Sequence, residues 1–406
     1  MSFENHLNSF INNENSKGNF RNYNPESIKK AAAVIGNPQN EYKIFHIAGT
    51  NGKGSSALYI AQILERSGYK TGLFTSPHLL AVNERIAINR QNISDIDAVK
   101  IIDKITAACD TSGLTWFDMI TLVAYEYFRE KQVQFAVIEC GLGGRLDSTN
   151  IMQDSNPLIT SISLDHTLLL GNTLDKITSE KAAIIKSSGI AVTSNTEKEI
   201  VDVIEDQSKK ANASLKIYGR DFIYNIREDN KLLVYYGSRS FNGINLSLTT
   251  PEQALNFSSA LALLVASKTE FDESILYQDP FEQPFGRFTV LNTKPLIVFD
   301  CAHNISSIKA MLDTCKSRQM TKGTVFLSLM ADKECETIVS MIKKSSFSLV
   351  YVLLNDQRSW IPDNGSCTIM EEDNALSYID HDGINLFCGS FRLFNKTADI
   401  INKTKN

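Results

Sequence analysis

Apolar residues recur along this chain in two alternating rhythms. Short unbroken runs, such as Ile44-Phe45-His46-Ile47-Ala48 and Phe135-Ala136-Val137-Ile138, have the length and β-branched or aromatic content of buried strands. Between them lie longer stretches with apolar positions three and four apart, which predict helices at Ser56 to Leu64, Ile96 to Ala108 and Ile120 to Lys131. Tyr69 to Thr75 and Leu158 to Ile162 read as further strands, so the chain up to about residue 195 alternates strand and helix as a mostly parallel α/β sheet does. From about 215 to 248 the rhythm changes to short alternating runs such as Leu232 to Tyr236, separated by Asp, Asn, Gly and Ser, which predicts a small antiparallel patch. Thr250-Pro251 then opens a helix to about Lys268, with a hydroxyl cap and proline in the first turn. Asp279-Pro280-Phe281-Glu282-Gln283-Pro284-Phe285-Gly286 is rich in turn residues and marks a candidate hinge. Strands at Leu296 to Phe299, Thr324 to Leu329 and Leu349 to Leu354, with helices between them, predict a second, smaller α/β domain. The expected division is 1–283 and 284–406.

A chain of 406 residues is long for one core, which agrees with two domains. Its net charge of −5 disfavours nucleic acid as the partner. The polar, Asn-rich start carries no secretory pattern, and apolar stretches such as Ala260 to Ala266 are too short to span a bilayer. Seven scattered cysteines never take CxxC spacing, so they read as reduced thiols of a cytoplasmic protein and as neither a disulfide framework nor a zinc site.

The chemistry starts at Gly49-Thr50-Asn51-Gly52-Lys53-Gly54-Ser55, between a predicted strand and a predicted helix. Glycines let backbone N–H groups converge on phosphate oxygens, and a helix N-terminus adds partial positive charge. Lys53 would reach the terminal phosphates and Ser55 would hold Mg²⁺. The spelling departs from G-x-x-x-x-G-K-[ST], because Gly54 separates Lys53 from Ser55 and Ile47 stands at the first glycine. Thr75-Ser76-Pro77-His78-Leu79 would bring the Ser76 hydroxyl to the carboxyl edge of the sheet, where open α/β sheets bind ligands. Glu139 ends a buried strand just before Cys140-Gly141-Leu142-Gly143-Gly144-Arg145-Leu146-Asp147, a position suited to a metal ligand. His166, after the next strand, would face the same edge.

The loop closely resembles that of the folylpolyglutamate synthase/dihydrofolate synthase family, in the Mur-ligase group of ATP-dependent amide-forming enzymes. Thr75 to Leu79 with Glu84-Arg85-Ile86 is similar to the family's TSPHL and ERI. Glu139 to Asn150 is similar to E-V-G-L-G-G-R-L-D-A-T-N, with Cys140 and Ser148 as departures. Asp165-His166 with Leu170-Gly171, and Glu180-Lys181-Ala182-Ala183-Ile184, match its DH…LG and EKAGI segments. Gly286-Arg287 and Asp300-Cys301-Ala302-His303-Asn304 resemble P-G-R and D-G-A-H-N, with Phe285 for proline and Cys301 for glycine. Asp332-Lys333-Glu334 and Gly389-Ser390 fall near its DKD and GS.

The resemblance implies a P-loop-type Mur-ligase ATP-binding domain followed by a Rossmann-like glutamate-ligase domain. It implies ATP held by Thr50, Asn51, Gly52, Lys53, Gly54, Ser55, Asn256, Arg287, Asp300 and His303. Two Mg²⁺ sites would draw on Ser55, Ser76, Glu139, His166 and a carbamylated Lys181, with a monovalent cation such as K⁺ as a further candidate. Lys53, Lys181 and His166 are the expected catalytic residues. The implied reaction joins L-glutamate to a folate or dihydropteroate carboxylate through an acyl phosphate, in a monomer. The alternatives are a murein-type ligase acting on a UDP-sugar peptide and a non-catalytic nucleotide-binding relative.

Overall fold

The expected strands are present in the structure, a computed structural model that describes residues 2–10, 23–186, 189–363, 365, 367–370 and 376–404. The chain divides into two compact units, Met1–Gln283 and Pro284–Asn406. In the first, β1 (Lys43–Ala48), β2 (Thr71–Phe74), β3 (Ile86–Ile88), β4 (Gln91–Asn92), β5 (Phe135–Glu139), β6 (Asn156–Ile159), β7 (Ile190–Thr193) and β8 (Ser214–Ile217) form one sheet. Its order is β4-β3-β2-β5-β1-β6-β7-β8, parallel except for the antiparallel β3 and β4 at one edge. A separate antiparallel sheet runs β11 (Arg239–Ile244), β10 (Leu232–Tyr236), β9 (Phe222–Ile226).

The helices of this unit are α1 (Phe3–Leu7), α2 (Glu26–Val34), α3 (Lys53–Arg66), α4 (Asp95–Ala108), α5 (Trp116–Glu130), α6 (Thr167–Leu170), α7 (Leu174–Ala182), α8 (Lys198–Lys210) and α9 (Pro251–Ala266). Side chains alternate across a strand, and the two faces of the central strands feed two cores. Ile44, Ala136 and Ile138 pack with α4 and α5, whereas Phe45, Ile47, Phe135 and Val137 pack with α3, α9 and the small sheet. Such burial of both faces accounts for the unbroken apolar runs.

Two boundaries differ from the sequence reading. Residues 214–217 extend the parallel sheet through β7 and do not belong to the antiparallel patch. The crossover through α8 brings them in parallel, and the patch begins at Phe222. Residues 279–282, expected within a hinge, are fixed to the first unit. Gln62 exchanges two hydrogen bonds with the Glu282 backbone, at 2.6 and 3.0 Å. Arg66 donates to the carbonyls of Asp279 (2.7 Å) and Pro280 (2.8 Å) and lies over the buried Phe281 ring.

The second unit holds a six-stranded sheet of order β12-β13-β17-β14-β15-β16. These are β12 (Thr289–Thr293), β13 (Leu296–Asp300), β14 (Gly323–Leu327), β15 (Ser348–Val352), β16 (Thr368–Met370) and β17 (Ile384–Cys388). Only β12 is antiparallel to its neighbour. Helices α10 (Ile305–Ser317), α11 (Cys335–Lys343) and α12 (Leu393–Thr404) complete it.

Within the first core, His46 of β1 is fully buried, with Nε2 2.9 Å from Thr149 Oγ1 and 3.1 Å from Cys140 Sγ. Burial, helped by the charge of Lys186, pushes the imidazole down to about 3. In the unfolded chain it would take its proton near 6.5, so between these values the unfolded state binds the extra proton. Stability therefore falls as pH drops below 6.5, by up to about 1.4 kcal/mol per pH unit from this group. Urea titrations between pH 6.5 and 5 should show this slope for the wild type and a shallower one for His46→Asn.

Candidate functional site

Gly49 to Ser55 leave β1 and turn into α3, as the strand–loop–helix reading expects. The turn demands glycine at two points. Gly52 sits at φ +90, and a Cβ there would lie 2.2 Å from the side-chain oxygen of Asn256 in α9. At Gly49 a Cβ would lie 1.8 Å from Thr160 Oγ1. The loop is also laced to the segment after β6. Thr50 N–H donates to Ser161 O (2.8 Å), Ser163 N–H to Thr50 Oγ1 (3.1 Å), and Ser161 Oγ to Asn51 O (3.2 Å). The Thr50 hydroxyl in turn donates to Ser163 O at 3.1 Å, so it closes the loop onto its neighbour.

Two amines meet at one oxygen here. Lys53 Nζ donates to Gly49 O (3.2 Å) and Thr50 O (3.3 Å), and Lys181 Nζ donates to the same Gly49 O at 2.8 Å. Lys181, in the last turn of α7, is 5% exposed. Burial first, and the nearby Lys53 charge second, bring its ammonium down to about 7, while Asp165 and Asp147 oppose the shift. A strand-linked loop and a remote helix thus bring two cationic groups to one backbone turn.

The carboxylate end lies against the same helix. Glu139 closes β5, is 4% exposed, and accepts the Ser76 backbone N–H at 3.0 Å. A Cβ on Gly54 would lie 3.3 Å from Glu139 Oε2. This close approach explains the glycine between Lys53 and Ser55, because a larger side chain would press on the carboxylate. Ser55 is buried in the first turn of α3. The structure therefore gathers Lys53, Gly54, Glu139, Ser76 and Lys181 around the start of α3.

His166 caps α6 in the left-handed region, φ 49, after the strand β6 that flanks β1 on the side away from β5. Its N–H donates to Asp165 Oδ1 at 2.9 Å. Among the described residues no three His, Cys, Asp or Glu side chains form a metal-binding group. The donors near α3 are instead one carboxylate and hydroxyls, oxygen ligands that suit a hard cation completing its shell with water and phosphate.

Asp147 organises the loop after β5, accepting N–H groups from Leu142 (2.7 Å) and Thr149 (3.0 Å). Burial raises its carboxyl above the usual range against those hydrogen bonds. Gly144 packs so closely on α7 that a Cβ would lie 2.8 Å from Glu180 O. The sequence reading did not single out Asp147, Thr160, Ser161 or Ser163 as site residues. Thr160, Ser161 and Ser163 act through pairings with the distant segment Ala48 to Asn51, which leave no local signature, whereas Asp147 acts within its own loop, whose glycine-rich run was the available signal.

In the second unit, Asp300 ends β13 and accepts N–H groups from Phe288 and Ala302, both at 2.8 Å. Burial raises its carboxyl, and the Arg287 guanidinium works against that shift. His303 Nδ1 lies 2.7 Å from Cys301 O, and Arg287 lies over the Phe391 ring. Cys301 is not among the residues at positive φ, so its backbone does not require the family's glycine.

A phosphate cradle on a parallel sheet, with a carboxylate at the next strand end, defines the class: residues 47–264 match the Mur ligase middle domain. The folylpolyglutamate synthase of Lacticaseibacillus casei is 32% identical over 79% of this chain and 78% of its own length. The dihydrofolate synthase/folylpolyglutamate synthase of Bacillus subtilis is 29% identical over 82% and 81%. Escherichia coli FolC in complex with DHPP and ADP superposes with a TM-score of 0.88 at 26% identity, covering 100% of this chain and 99% of that one. A bifunctional folylpolyglutamate synthase/dihydrofolate synthase with Mn, AMPPNP and L-glutamate bound gives 0.84 at 25% identity, with 99% and 98% covered. The chain belongs to the folylpolyglutamate synthase/dihydrofolate synthase family of the Mur-ligase superfamily.

Gly49→Ala should displace the loop, since Thr160 is itself held by its bond to Ala48 O. ATP affinity is expected to fall at least about tenfold, roughly 1.4 kcal/mol. Gly189→Ala, where a Cβ meets nothing within 4 Å, should leave it unchanged in the same titration.

Proposed function

We propose that this protein is an ATP-dependent ligase that joins L-glutamate to the carboxylate of dihydropteroate, a reduced folate, or both. The observation that carries the reading is the meeting of Lys53 and Lys181 at the Gly49 carbonyl, beside Glu139 and Ser76. Family membership supports the substrate class and disfavours the UDP-sugar peptide alternative. The relatives solved with ADP or AMPPNP, Mn, DHPP and L-glutamate support a nucleotide, a divalent metal and both substrates.

Bound as its magnesium complex, ATP would give its terminal phosphoryl group to the substrate carboxylate and leave as ADP, and the glutamate amine would attack the activated carbonyl carbon, losing a proton and expelling inorganic phosphate as the amide forms. The protein's share is positioning and charge neutralisation. Lys53 and the backbone of Thr50 to Ser55 hold the phosphates, with Asn256 fixing the loop at Gly52. Ser55, Ser76, Glu139 and His166 hold magnesium, in two sites when Lys181 joins them. Arg287, Asp300 and His303, in the glutamate-ligase domain of residues 284–406, are assigned to nucleotide contact, and residues 1–283 are assigned as the ATP-binding domain. We further assign a monomer, a K⁺-type monovalent cation and a cytoplasmic location. The location is supported by seven free cysteines and by the lack, among the described residues, of a helix long and apolar enough to cross a membrane.

Lys53→Ala should abolish glutamate incorporation while leaving circular dichroism unchanged, because Lys53 is half-buried and belongs to no core cluster. Loss of such a contact is expected to cost several orders of magnitude in turnover, each tenfold step being about 1.4 kcal/mol. Near-wild-type turnover would overturn the loop assignment.

With its ammonium brought down to about 7, Lys181 is unprotonated in about half of the molecules at pH 7, and a neutral amine adds to CO₂, releasing a proton and leaving a carbamate anion. The Lys53 charge and magnesium would stabilise that anion. Intact-mass or peptide mass spectrometry under CO₂ should therefore find Lys181 carbamylated, and Lys181→Ala should be nearly inactive, with partial rescue by a short-chain acid. An unmodified Lys181 in a fully active preparation refutes the carbamate.

A further inference from the structure

Glu84 and Arg85 fall between the candidate metal loop and β3. The Glu84 carboxylate accepts three successive backbone N–H groups, from Leu79 (2.9 Å), Leu80 (3.0 Å) and Ala81 (2.8 Å). Its own N–H donates to Ala81 O at 3.0 Å. Hydrogen bonds to an ionised acceptor are about twice as strong as neutral ones, and three on one carboxylate fix the chain direction over three residues. Leu80 is 67% exposed, so apolar burial does not hold this stretch in place.

Arg85 secures the other end. It is 1% exposed, its Nε–H donates to His78 Nδ1 at 2.9 Å, and its guanidinium lies 4.7 Å from the centre of the Trp116 ring. Its carbonyl accepts the Thr75 N–H at 3.0 Å. Residues 75, 78, 79, 80 and 81 are thereby tied to two neighbouring residues, and the stretch so tied carries Ser76, whose N–H reaches Glu139 Oε2 at 3.0 Å.

We propose that Glu84 and Arg85 are positioning residues that hold the Thr75–Ala81 loop so that Ser76 stays against Glu139 on the metal side. This rests on the ligase reading for the identity of the metal side. It does not rest on that reading for the loop geometry. A group that orients a metal ligand characteristically sets metal affinity, typically by 10- to 100-fold. A purely structural role would change stability alone.

The test uses the full chain and its Glu84→Gln variant. Hydrogen exchange at residues 79–81 should speed up at least about tenfold in the variant. Mn²⁺ affinity in the presence of ATP, read by electron paramagnetic resonance, should weaken about tenfold. The unfolding midpoint should stay close to that of the wild type. If Glu84→Gln does not fold, Glu84→Asp, which keeps the charge and shortens the reach by one methylene, reads the same quantities. Unchanged exchange overturns the clasp. Faster exchange with unchanged Mn²⁺ affinity overturns the positioning role. Failure of the wild type to ligate glutamate would reject the ligase reading and leave both measurements interpretable.

Discussion

The site depends on two lysine amines, Lys53 and Lys181, held within hydrogen-bond reach of one carbonyl oxygen, Gly49 O. Burial of Lys181 carries a desolvation cost, and the nearby Lys53 charge adds repulsion, which together bring that amine down to about 7. A protein that concentrates positive charge around a backbone turn has prepared a place for an anion with several oxygens. An amine near 7 is neutral in about half of the molecules at pH 7, which eases the repulsion when no anion is bound. The same neutrality makes the amine a nucleophile toward CO₂, so one electrostatic conflict serves two chemical ends.

Geometry around that turn follows from the sheet. Ile47 of β1 pairs in register with Glu139 of β5 on one side and Leu158 of β6 on the other. The three strand ends therefore deliver the glycine loop, the carboxylate and the Thr160–Ser163 segment to one edge. Helix α3 starts in their midst, and Gly54 lets its first turn approach Glu139. At the far end of α3, Gln62 and Arg66 hold residues 279–282, just before the first unit ends at Gln283. A helix of fourteen residues, roughly 21 Å long, thus links the phosphate loop to the segment that leads into the second unit.

Much of this was legible in the sequence, because the decisive features are local. The run from Ile44 to Leu64 spells strand, glycine turn and helix in order, and Phe135 to Glu139 spells a buried strand ending in an acid. Helix α9 announced itself by Thr250-Pro251. What was not legible depends on distant pairs. Nothing near Thr50 indicates that its hydroxyl bridges to Ser163, and nothing near Asn256 indicates that it packs on Gly52. The three-residue strand β3 is too short for a period to show. Residues 214–217 alternate like the antiparallel strands that follow, and only the α8 crossover makes them parallel. Gly54, a departure from the generic phosphate-loop spelling, finds its physical reason only in the close approach of Glu139.

The central claim is that this anion site serves carboxylate activation and amide formation with glutamate. The most direct measurement is ADP release in a coupled assay, with dihydropteroate and tetrahydrofolate offered separately, each with and without L-glutamate. The account predicts ADP release that requires both glutamate and at least one of the two pterin acids, with product one glutamate heavier by mass. ADP release indifferent to both substrates, or none with either acid, would contradict it.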